Sequence, residues 1–201
     1  GGTKEIHRPM NDWLSAVLPS SCPANAKLAI ARFAKRETIG RNGFSLTSPA
    51  FGQGEELDPC FTADEEDAVA PPMEWTAPPK GAEELVLVVE DASQADPTCH
   101  WLVWGLPAQH GKLLEGETPP RTGKNDQGNS EWLLPKVDPD GAPHCFVFQL
   151  FALDLPIALM PGAGKAELFA AMEGHVMAAC VLSASYSGSD EEDLGDLEDD
   201  A

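Results

Sequence analysis

An aspartate and two histidines stand at the ends of apolar runs in this chain. Asp91 follows the run Leu85-Val86-Leu87-Val88-Val89. His100 opens Trp101-Leu102-Val103-Trp104, and His144 opens the run from Phe146 to Leu153, just after the turn Asp138-Pro139-Asp140-Gly141. Polar residues at strand ends, beside long loops, are where a β scaffold usually keeps its site. Such a trio has two chemistries open to it. Histidines that are protonated, or act as N–H donors, bind an anion such as phosphate, and the aspartate orients a ring and fixes its tautomer. Neutral histidines with the carboxylate instead form a two-histidine, one-carboxylate metal face. Spacing alone decides neither, and a histidine at a strand start also reads as a packed core residue.

The other candidates are weaker. His175, after Gly174, reads as a packed or capping residue at a helix exit, and His110 as part of a solvated turn. No GxSxG elbow, no phosphate-binding P-loop and no GxGxxG after a strand occurs. Asn125 and Asp126 read as turn chemistry, and Glu65-Glu66 and Glu83-Glu84 as solvated faces. Nothing here specifies catalysis. The expectation is a non-enzymatic protein without metal or cofactor.

The elements that must position the trio are mostly strands. The continuous run at 85–89 predicts a strand buried on both faces. Strands are also expected over 44–47, 101–104, 146–153 and, in loose alternation, 176–186. One helix is expected over Lys165–Glu173, stopped by Gly174. A short helix carries Leu14, Val17 and Leu18, capped by Asn11 or Asp12. A second, basic and amphipathic, runs from Ala24 to about Glu37, and docking on its own domain is favoured over a lipid surface. Segments 52–80 and 107–144 hold little regular structure. The resulting division is 1–9, a cloning remnant; 10–42, a peripheral helical extension; 43–186, the main β domain; and 187–201, a disordered acidic tail.

Composition narrows the function further. The chain has 201 residues, with 13 Lys+Arg against 33 Asp+Glu and a net charge of −20. Such a body repels nucleic acid and anionic lipid, so neither is expected as a partner. No apolar run is long enough to span a membrane, and no signal peptide is visible. Cys22, Cys60, Cys99, Cys145 and Cys180 are odd in number, far apart and without a CxxC pair. They read as reduced thiols of a cytoplasmic protein, with neither a structural zinc site nor a disulfide framework.

Motifs in order from residue 44 onward carry a resemblance. They include Leu46-Thr47-Ser48-Pro49-Ala50-Phe51, Ala70-Pro71-Pro72-Met73-Glu74-Trp75, His100-Trp101-Leu102-Val103, Asn125-Asp126-Gln127-Gly128, His144-Cys145-Phe146-Val147-Phe148 and Lys165-Ala166-Glu167-Leu168. The series resembles the phosphatidylethanolamine-binding protein family, in its bacterial, Raf kinase inhibitor-like branch. The resemblance implies a mainly β fold of antiparallel sheets with a helix near the C-terminus. It implies a small anion pocket at Asp91, His100 and His144, with Trp101, Pro135 and Phe146 as walls, taking phosphate or phosphorylethanolamine-like head groups. The family's Asp-Pro-Asp-Ala-Pro loop reads Asp91-Ala92-Ser93-Gln94-Ala95 here, and loss of its prolines loosens a preset loop.

Three functional readings follow. The first is a non-enzymatic, regulatory protein binding a small anion or phospho-group at the trio. The second is an enzyme, metal-assisted or acid–base, using the same residues. The third is an interaction or inhibitor module that grips a protein partner, or a second copy of itself, through the acidic surface or the basic helix.

Overall fold

A strand with no polar side must be covered on both faces, and the run after Glu83 sets the architecture. The computed structural model describes residues 13–189. The expected remnant at 1–9, the cap at Asn11 or Asp12 and the tail from 190 lie outside the described residues. Eight strands form among the described residues: β1 Leu46–Thr47, β2 Glu55–Glu56, β3 Met73–Trp75, β4 Glu84–Asp91, β5 Thr98–Pro107, β6 Gly111–Leu113, β7 His144–Leu153 and β8 Val176–Tyr186. The main sheet has the order β2-β8-β7-β4-β5, and a small sheet has the order β1-β3-β6. All pairings are antiparallel except β2 with β8, which is parallel. The chain is mainly β, as its sequence predicts.

Every residue of β4 is buried, and successive side chains go to opposite faces. Leu85, Leu87 and Val89 join Leu46, Met73, Trp75 and Leu113 of the small sheet in one core. Val86 and Val88 face a second core, built by the helices α1 Leu14–Val17, α2 Ala29–Phe33 and α3 Lys165–Met172. The small sheet, the main sheet and a helical layer are therefore stacked in that order. Helix α3 ends where predicted, with Gly174 at φ +78°, a conformation that glycine reaches at little cost.

Two expectations need correction. The N-terminal segment is not peripheral: Leu14, Leu28, Ala29 and Ile30 are fully buried against the main sheet. Its second helix is five residues long rather than spanning 24–37. The reason lies in the sheet. Glu90 of β4 and Gln149 of β7 accept the amides of Ala29 and Ile30, each at 2.7 Å, so the helix starts where these side chains meet it. Ahead of it Asn25 makes its own turn, accepting from the amide of Lys27 at 2.9 Å.

The thiols also differ from expectation. Cys22 and Cys145 form a disulfide across a sequence separation of 123, while Cys60, Cys99 and Cys180 are free. No spacing rule reveals such a pair, because the fold alone brings the two residues together. Burial pushes the thiols of Cys60 and Cys99 up to about 12 and that of Cys180 up as well, which keeps the free thiols protonated.

Candidate functional site

The trio is assembled at one end of the main sheet, on the face that carries the small sheet. Asp91 is the last residue of β4 and stands opposite Phe146 of β7. His144 lies two residues before Phe146 and so shares its face. His100 reaches this face by a different device. Val89 pairs with Trp101, but Glu90 pairs with Cys99, leaving His100 as the extra residue of a β-bulge. A bulge re-aims the side chain it carries. It turns the His100 ring onto Phe146, with centroids 5.1 Å apart and planes at 88°. The His144 ring lies 6.4 Å from the same phenyl ring.

Hydrogen bonds fix each member. His144 Nδ1 donates to Asp91 Oδ2 at 2.6 Å. The other oxygen, Oδ1, accepts from the Ser93 amide at 2.9 Å. The aspartate is buried, and each of its oxygens accepts one of these bonds. His100 Nδ1 donates to the carbonyl of Leu133 at 2.7 Å, and the Leu133 amide donates to the His100 carbonyl at 2.8 Å. These bonds fix both rings as Nδ1–H tautomers and leave Nε2 of each as the nitrogen facing away from its partner. Burial lowers the His100 imidazole below its ordinary value of 6.5, against opposing pulls from the Leu133 bond and from Asp91. Unliganded His100 is therefore neutral at neutral pH.

The loop that meets His100 is built on Asn125. This buried side chain accepts from the amides of Gln127 and Asn129 and donates to the Glu131 carbonyl at 2.9 Å. Trp132 then packs 6.1 Å from the His100 ring and donates to the Phe61 carbonyl at 3.0 Å. Sequence reading passed over Trp132; an isolated indole in an irregular stretch was the available signal. It also passed over Tyr186, which stands directly across from His144 and donates to Asp64 Oδ2.

The expected walls separate. Phe146 packs against both imidazoles. Trp101 instead lines a neighbouring cavity of about 280 Å³, with Val69, Thr122, Trp132 and Leu134. None of the trio lines it. Among the described residues, the buried Trp101 indole N–H has no hydrogen-bond partner. Pro135 is buried, and its carbonyl accepts from the Ala63 amide at 2.9 Å. Among the described residues, no group of three His, Cys, Asp or Glu side chains is placed to hold a metal ion.

The family profile described as phosphatidylethanolamine-binding protein matches residues 47–187. The chain belongs to the phosphatidylethanolamine-binding protein family. A UPF0098 protein of Methanothermobacter thermautotrophicus is 31% identical over 150 residues, covering 71% of this chain and 97% of its own. The crystal structure of a family homologue from Chlamydia trachomatis superposes with a TM-score of 0.66 at 29% identity, covering 73% of this chain and 98% of that one. A Mycobacterium tuberculosis chain named as a lipoprotein, LppC, is 31% identical over 122 residues, 59% of this chain and 60% of its own. Asp91, His100 and His144 all lie inside the matched region. No helix among the described residues is long and apolar enough to cross a membrane.

Proposed function

We propose that this family member binds a small oxyanion, a phosphate or a phospho-head group, between Nε2 of His100 and Nε2 of His144, without catalysing a reaction. The observation that supports this most is the pair of Nδ1 bonds. Each ring is anchored by its Nδ1, which leaves its Nε2 outside these bonds, and both rings pack against Phe146. A protonated Nε2–H donates to an anionic oxygen, and such a charge-assisted bond is about twice as strong as a neutral one. Asp91 does not meet the ligand, which avoids repulsion between two anions.

Because unliganded His100 is held neutral, binding takes up a proton. Affinity for phosphate therefore falls as pH rises through the histidine range. The test is calorimetric titration of phosphate and phosphorylethanolamine in buffers of different ionisation heat. Proton uptake on binding supports the proposal, and binding with no proton linkage contradicts it.

The Cys22–Cys145 bond favours an oxidising compartment over the cytoplasm expected from composition. The lipoprotein name of the mycobacterial relative fits that placement.

A further inference from the structure

The loop from Ala92 to Asp96 follows Asp91 directly and carries no proline. Left to itself, such a loop samples many conformations. It is gripped instead by the N-terminal segment. Asn25 Nδ2 donates to the carbonyls of Gln94 at 2.7 Å, Ala92 at 3.3 Å and Ala95 at 3.5 Å. One amide has two hydrogens, so the Gln94 bond is strong and the other two share what remains. Lys27 pairs with Asp96 at 2.6 Å, an exposed contact of small weight.

The same segment grips the other flank. Cys22 is bonded to Cys145, the residue after His144. The Cys145 amide donates to Ser93 Oγ at 2.9 Å, and its carbonyl accepts from the Ala92 amide at 2.8 Å. One short stretch, Cys22 to Lys27, thus ties together the loop behind Asp91 and the strand start that carries His144.

We propose that Cys22 and Asn25 form a positioning strap that presets the Asp91–His144 pair for its ligand, and that the disulfide makes its grip depend on redox state. This rests on the anion-site reading above. Neither residue touches the ligand. Both act by removing conformational freedom that binding must otherwise remove, which is how preorganisation raises affinity. A dithiol supplies two electrons and two protons. It cleaves the Sγ–Sγ bond to two thiols and is itself oxidised to a disulfide. The strap then loses its covalent tie and keeps the bonds of Asn25 and Lys27.

The test compares oxidised protein, dithiol-reduced protein, Cys22→Ala and Asn25→Ala. Inorganic phosphate is the titrant, and amide exchange and histidine ring resonances are followed in parallel. The strap predicts about tenfold weaker phosphate binding in each altered form, with recovery on reoxidation of the reduced protein. It also predicts faster exchange at Ala92, Ser93 and Cys145, and moved His144 resonances. His175, paired with Asp154 away from the strap, stays where it was. Unaltered phosphate affinity with unaltered exchange at these amides overturns the strap and leaves the anion site standing. If oxidised protein takes no phosphate, the anion reading falls. Exchange in folded Asn25→Ala then decides alone: faster exchange keeps the strap, and unchanged exchange ends it.

Discussion

Both oxygens of Asp91 are already bonded, one to Ser93 and one to His144. In the proposed anion site, the contacts to the ligand then fall to Nε2 of His100 and Nε2 of His144. The lowered value of His100 has a consequence for stability as well as for binding. A group whose value is depressed by folding contributes stability that is present above its unfolded value and lost on acidification. Ligand-free protein should therefore lose stability as pH falls below about 6.5, while added phosphate restores part of it. Thermal melts with and without phosphate check this, and a phosphate effect that grows with rising pH contradicts it. Trp101 gives a second expectation at this scale. Its buried N–H has no partner among the described residues, so Trp101→Phe removes an unsatisfied donor together with some packing. The two effects oppose each other, and the change in unfolding free energy should stay within about 1 kcal/mol. A loss several times larger would mean that the N–H is satisfied after all.

The helical layer is held to the sheet by a polar network inside an otherwise apolar face. Glu90 is fully buried and pairs with Lys165 at 2.7 Å, while it also accepts from Gln149 and from the Ala29 amide. Removing the cation strands a buried carboxylate. Lys165→Met is expected to cost about 3 kcal/mol, whereas Lys27→Met, on the exposed Asp96 pair, should leave stability nearly unchanged. Urea denaturation of both variants tests the contrast, and equal small losses would contradict it. The same network shows what was legible and what was not. The runs at 85–89 and 146–153 announce their strands through unbroken apolar sequence. Glu90 and Gln149 also sit in those strands, but nothing in the sequence says that they cap a distant helix. Helical periodicity from Ala24 onward overstated α2 for that reason. His100 and His144 were legible as strand-end residues. The bulge that turns His100 onto Phe146 was not, because it depends on the register between β4 and β5.

Across the whole molecule, the disulfide joins the first helical segment to the strand beside the site. The apolar run at 85–89 forecasts a strand covered on both faces, but a bond between residues 123 apart follows only from the folded arrangement. Thiol titration of unfolded, unreduced protein should count the three free cysteines; a count of five would remove the bond. Breaking it should lower stability by about 2–4 kcal/mol, since a long closed loop restrains the unfolded chain. The net charge of −20 bears on the ligand too. An anion approaching this acidic body meets long-range repulsion, so binding must come from local donors and should tighten modestly as salt screens the surface.

The most direct measurement is calorimetric titration of inorganic phosphate into the wild type and into the His100→Ala, His144→Ala double variant, at about pH 5.5 and about pH 8. The account predicts binding to the wild type that is tighter at the lower pH and absent from a folded double variant. Equal affinity in both proteins, or at both pH values, would contradict it.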